Sequence, residues 1–166
     1  MHSITVDPFI ESIREVFDSM IGSPVELAEK HETVTTPHPP DIIGVIGLSG
    51  SAKGMVALRF PDSSALAIIG QMVGTKFDEV DSAIVDGVGE LVNMVAGSAK
   101  AKFVGHSMSI SLPTVVRGDI CRLSNMNDAM WTELEFHSNL GDFWLIVSLK
   151  AVEQRHQEVA HEGARR

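Results

Sequence analysis

The segment covering residues 81–103 constrains the fold more than any other, because Ile84, Val85, Val88, Leu91, Val92, Val95, Ala96 and Ala99 recur at spacings of three and four. That is the period of an α-helix with one apolar face, and such a face must be buried against another layer. At about 100° per residue with Asp86 at zero, Glu90 falls near 40°, Asn93 near −20° and Gly97 near 20°, while the apolar set centres near 190°. The polar stripe therefore lies opposite the packing face.

The remaining chain must supply what this helix packs on. Asp7-Pro8 predicts a first helix, with Asp7 as N-cap and Pro8 at the first helical position, carrying Ile10, Ile13, Phe17, Met20 and Ile21 until Gly22-Ser23-Pro24 stops it. Residues 25–32 read as a short strand, and TTPHPP (35–40) as a stiff exposed connector. DIIGVIGLS and KGMVALRF flank a Gly-Ser-Ala turn and predict a hairpin with one face buried. Pro61-Asp62-Ser63-Ser64 starts another helix with the stripe Leu66, Ile69, Met72 and Val73, and Gly74 ends it. From His106 the period falls toward two in SMSISLP, TVVRGDICRL, WTELEFHS and DFWLIVSLKAV, the last two making a second hairpin across Ser138-Asn139-Leu140-Gly141. Three helices with mostly hairpin-linked strands predict an α+β fold, a mainly antiparallel sheet with helices packed on it.

At 166 residues and 44% hydrophobic side chains, the chain has enough for one core and too little for two full-sized domains. Residues 1–152 read as that domain. Residues 153–166 carry no apolar stripe, and their three acids balance three basic residues, so they read as a flexible tail. Cys121 is the lone cysteine, which excludes an intramolecular disulfide and fits a reducing compartment. The opening MHSITVDPF has neither a basic nor an apolar signal region, and the nearly charge-free stretch 42–52 falls far below the roughly 18 apolar residues of a span. A soluble, cytoplasmic protein is expected. The formal charge of −9 argues against nucleic acid or an anionic membrane as partner, since both demand a basic patch.

An acid at helical spacing is ordinarily a solvated face. Two details weigh against that for Asp86 and Glu90. Gly87, Gly89 and Gly97 lie in this one helix, each at a cost of about 1 kcal/mol relative to alanine, and Gly89 and Gly97 flank or join the polar stripe. Small residues beside a carboxylate and an amide offer a shallow surface that another protein can approach closely. In addition, Asp78, Glu79, Asp81, Asp86 and Glu90 accumulate with no Lys or Arg between Lys76 and Lys100, a field that steers a cationic partner.

Other candidates are weaker. GLSGSAK (47–53) lacks the Gly before Lys and the Ser/Thr after it that a phosphate loop needs. His156 and His161 are five apart rather than four, and His31, His38, His106 and His137 show no ligand spacing, so no metal site is expected. Cys121 lies in an apolar run and reads as a small buried hydrophobe. Trp131 and Trp144 read as strand packing residues, and the scattered methionines as core filling or loops.

Asp86-xxx-Glu90-xx-Asn93, followed by Gly97 and a downstream Ser-Leu-Pro113 entering a strand, resembles the signature of the CheC/CheX/FliY phosphatases of bacterial chemotaxis. The hairpin IIGVIGLSGSAKGMVALRF and the helix ending in MVG resemble that family's lead-in, and the likeness covers residues 7–150. The CheX branch matches best, because only one Glu-xx-Asn copy is present; the first helix reads Glu11-xx-Arg14 and Glu15-xx-Asp18. The resemblance implies a CheC-like fold, a homodimer, and hydrolysis of the phosphoaspartate of CheY or a related receiver domain. It implies no cofactor of the protein's own, the divalent metal (Mg) being the receiver's. Asn93 would hold a water in line with phosphorus, Glu90 would pair with the receiver's active-site lysine, and Asp86, Gly89, Gly97 and Pro113 would form the docking surface. A non-catalytic adaptor that binds a receiver or a flagellar switch component through the same acidic ridge is the second reading.

Overall fold

The computed structural model describes residues 4–32, 41–118 and 131–153. The expectations for the connector TTPHPP, for His38, Cys121, Met126, Met130, His156 and His161, and for the tail lie outside the described residues.

Helix α1 (Asp7–Val16) starts one residue earlier than expected, with Val6 at the N-cap and Asp7 in the first turn. The Thr5 hydroxyl donates to the Asp7 carboxylate at 3.0 Å. The helix widens into a π turn (Phe17–Ile21) that ends at Gly22, whose φ of 70° is the left-handed conformation that favours glycine. Strand β1 (Val25–His31) follows, then β2 (Asp41–Gly50), β3 (Ala52–Pro61) and α2 (Asp62–Val73), closed by Gly74 as the sequence predicts. The long helix α3 (Ser82–Lys102) begins at Asp81, whose carboxylate accepts from the backbone N–H of Ala83 at 3.0 Å and Ile84 at 3.1 Å. Strands β4 (Met108–Ile110), β5 (Thr114–Gly118), β6 (Trp131–Ser138) and β7 (Phe143–Ala151) complete the order.

These strands form one seven-stranded sheet in the order β1-β6-β7-β3-β2-β4, with β5 also paired to β2. Every pairing is antiparallel. Both predicted hairpins are present, Leu48 facing Gly54 in the first and Phe136 facing Phe143 in the second.

The principal core lies between the sheet and the helices, where Ile42, Ile46, Val56, Leu58, Leu134 and Leu145 meet Ile13, Ile68, Val88, Leu91, Val92 and Val95. A Cβ at Gly44 would stand 3.1 Å from Val88 and Val92, so a bare backbone at that point lets α3 lie close on β2. The expectation of one buried face for the first hairpin is corrected. Ile42 and Ile43 are adjacent, point to opposite faces and are both buried, because the second face carries its own cluster of Ile43, Ala57 and Ile146. On β3 the buried Arg59 reaches Asp41 at 3.7 Å and Glu133 at 3.6 Å, with its guanidinium 4.8 Å from the Trp144 ring centre. Opposite charges buried together offset part of one another's desolvation, which an isolated charge could not. No helix among the described residues is long and apolar enough to cross a membrane.

Candidate functional site

Helix α3 divides as its periodicity predicts. Ile84, Val88, Leu91, Val92, Val95, Ala96 and Ala99 are buried, while Asp86 and Glu90 are exposed and Asn93 is half-buried. Asp86, Gly89 and Asn93 are spaced three and four apart and stack along one face, with Glu90 one residue round.

The three helix glycines have different reasons. A Cβ at Gly87 would lie 2.3 Å from the Cγ2 of the buried Ile69, so this glycine lets α2 and α3 touch and belongs to the packing face. Gly89 is buried rather than part of an open docking surface: Pro113 and Val115 pack over it, at 3.7 and 3.4 Å from where a Cβ would be. At Gly97 nothing lies within 4 Å of that position. Of the small-residue surface expected from the sequence, only Gly97 is open, and it stands one turn beyond Asn93.

Pro113 thus meets α3 at Gly89, four residues before Asn93, and its ring flanks the polar stripe. Its position follows from an interruption of the sheet edge, since β4 and β5 both pair with β2 and residues 111–113 between them do not continue the ladder. Ser111 anchors this break. Its N–H donates to the Gly47 carbonyl at 2.9 Å, its Oγ accepts from the Gly47 N–H at 2.9 Å, and the same hydroxyl donates to the Leu112 carbonyl at 2.8 Å. Sequence reading found Pro113 but not this fastening, which is formed across 64 residues of chain.

Charge is distributed as anticipated, with Asp78 and Glu79 exposed before α3, Asp81 at its N-cap and Asp86 and Glu90 exposed within its first half; the Asp81 carboxylate also caps the helix. On the first helix, Glu15 is engaged in packing against α3. Glu15 is bound to Lys102 of α3 at 2.7 Å and accepts from Ser98 at 3.3 Å, and the Lys102 hydrogen bond holds its carboxyl below the ordinary value. Glu15 is thereby a strut between α1 and α3.

Two histidines read as lacking ligand spacing do meet carboxylates across strands. Glu29, His31 and Glu135 form one group, and Glu135, His137 and Asp142 another, their side-chain atoms within 4.8 Å of one another. Each imidazole already pairs with an acid on its own strand, His31 with Glu29 at 3.1 Å and His137 with Glu135 at 3.0 Å. The hydrogen bond to Glu135, with lesser charge effects from Asp142 and Glu26, raises the His137 pKa. The available signal was the repeated Glu-x-His, an i, i+2 spacing that puts both side chains on one strand face. These groups sit on β1, β6 and the turn before β7, not on α3.

The α3 stripe contains no hydroxyl, thiol or imidazole. What it presents is an amide beside a carboxylate, with an open glycine to one side and a fixed proline to the other, which suits orienting a small molecule against a docked partner.

Comparison with known proteins identifies the family and the fold. The family described as chemotaxis phosphatase CheX matches residues 42–136, a span containing α3 and the Ser111–Pro113 break. A CheY-P phosphatase CheX from Thermotoga maritima is 25% identical over 154 residues, covering 91% of this chain and 99% of that protein. The structure of a CheC-like superfamily protein from Shewanella sp. PV-4 superposes with a TM-score of 0.79 at 25% identity, over 91% of this chain and all of that one. A CheX solved in complex with CheY, BeF3 and Mg2+ from Borrelia burgdorferi shares the fold at a TM-score of 0.78 and 16% identity, covering 90% and 99% of the respective chains. The fold is CheC-like, and with the family match spanning more than half of its length, this chain belongs to the CheX family of chemotaxis phosphatases.

Proposed function

We propose that this protein accelerates hydrolysis of the phosphoaspartate on a CheY-like receiver domain, and that Asn93 and Glu90 carry the reaction. The observation behind this reading is the half-buried Asn93 one helical turn from the exposed Glu90, on a helix whose buried Gly89, the residue before Glu90, lies under Pro113. An acyl phosphate is already activated, so a phosphatase need add little beyond an oriented water and a docking surface. The Asn93 amide both donates and accepts, and can hold a water in line with phosphorus. As the water oxygen bonds to phosphorus, the bond from phosphorus to the aspartyl oxygen breaks, and inorganic phosphate leaves a free carboxylate. The Glu90 carboxylate pairs with the receiver's active-site lysine, and the receiver supplies its own divalent cation. Asp86 and the neighbouring acids steer the approach, an effect that weakens as salt rises.

Substoichiometric protein added to a phosphorylated receiver is expected to clear many equivalents of phosphoprotein. Decay that is slowed or unchanged would instead indicate an adaptor that only binds.

Gly97 gives a test in which stability and activity separate. Gly97→Ala fills open space in a helix interior and is expected to stabilise the fold by about 1 kcal/mol in urea titration. If the receiver docks over this turn, the same methyl raises KM severalfold. A stabilised variant with unchanged kinetics would remove Gly97 from the docking surface.

A further inference from the structure

The Ser111–Pro113 break places a large apolar side chain in an unusual situation. Leu112 is 88% exposed, the most exposed large hydrophobic residue among those described. Single surface leucines are common and carry no meaning by themselves. Leu112 differs because the backbone on both sides of it is fixed. Ser111 is tied to Gly47 through two hydrogen bonds of 2.9 Å, the Leu112 carbonyl accepts from the Ser111 hydroxyl at 2.8 Å, and Pro113 is seated on Gly89. A leucine on a loose loop could turn toward the protein; this one is held outward. It also stands close to α3, since the ring of the proline that follows it lies 3.7 Å from where a Cβ at Gly89 would be, immediately before Glu90 and one turn before Asn93.

We infer that Leu112 is an apolar docking residue for the receiver domain, one that inserts into an apolar depression beside the phosphorylation site while Glu90 pairs with the lysine. This rests on the function proposed above. The occupant follows from continuity: a domain that covers Asn93 and Glu90 must also cover the residue beside Pro113. The chemistry is complementary as well, because an exposed apolar side chain on the loop that meets the helix carrying the exposed acids Asp86 and Glu90 offers a dry contact with charge nearby. Such a contact also selects among receivers, since one with a charged residue at that depression would bury it unpaired.

Burying a leucine side chain corresponds to roughly a 10- to 100-fold gain in affinity. Leu112→Ala is therefore expected to raise KM for the phosphorylated receiver about tenfold, and Leu112→Asp about 100-fold, with kcat at saturation unchanged. Calorimetric affinity for a beryllofluoride-activated receiver from the same organism should fall in parallel, with the melting temperature unaltered because the side chain contributes little to the core. If the wild-type protein binds and dephosphorylates the receiver and both variants match it, the inference fails while the proposed function stands. A fall in kcat without a change in affinity would also overturn it. If the wild-type protein neither binds nor hydrolyses a receiver, the function and the inference fail together.

Discussion

Replacing Asn93 with alanine is expected to lower kcat for phosphorylated receiver by roughly 100- to 1,000-fold while leaving affinity within about threefold. The magnitude is that of removing one positioned group that acts in the transition state. The asymmetry follows from the division of labour on α3. Glu90 is exposed and can meet the receiver's lysine before any bond changes, whereas the half-buried Asn93 amide matters only when a water must be held against phosphorus. Folding should survive, since alanine has the higher helix propensity and Asn93 is outside the buried core. Asn93→Asp separates geometry from chemistry: it preserves the shape but removes the amide donors and adds a negative charge facing the phosphoryl group, so it should be at least as slow as the alanine variant. The measurement is single-turnover decay of phosphorylated receiver, alongside calorimetric binding to its beryllofluoride-activated form. Full turnover by Asn93→Ala would exclude the water-positioning role. An equal loss in affinity and rate would make Asn93 a docking residue.

The part of this site that lies on α3 was legible because helical period is a local property. Eight apolar positions in one window settle which side faces the sheet, and the places of Asp86, Glu90 and Asn93 follow. The surroundings of Gly87 and Gly89 were not legible, because they depend on residues distant in the chain: Ile69 for Gly87, Pro113 and Val115 for Gly89. The break at residues 111–113 was hidden for a similar reason. Period two continues through SMSISLP, but Ser111 is fastened to Gly47 and the edge ladder is interrupted there. The second buried sheet face does have a sequence signal. Two neighbouring isoleucines at 42 and 43 cannot both face one side of a strand, so one of them required a second cover. The Glu-x-His pairs follow the strand period of two and not the helical spacing of a ligand pair, and the carboxylates that complete each group come from another strand or turn.

The largest stability effect is expected at Phe143, whose environment illustrates the same limit. Phe143 is fully buried and stacks on three rings contributed by separate elements: Phe17 of the π turn at 4.8 Å, Phe136 of β6 at 5.3 Å and Phe60 of β3 at 5.5 Å. Their separation in sequence conceals a contact that ties the end of the first helix to the sheet. Phe143→Ala removes a complete ring from close-packed surroundings and should cost about 3–5 kcal/mol, lowering Tm by roughly 6–20 °C. Phe143→Leu retains most of the volume but loses the stacking, and should cost appreciably less. Urea titration gives both values. A loss below about 1.5 kcal/mol for the alanine variant would mean that neighbouring rings close the space left behind. The site itself should be spared, because the four stacked rings belong to the π turn, β3, β6 and β7 and none to α3, which packs chiefly on α1 and β2. At a temperature where Phe143→Ala remains folded, its kcat should equal that of the wild-type protein, whereas Asn93→Ala should be slow at full stability. Opposite outcomes from two buried or half-buried residues would separate the scaffold from the reaction it positions.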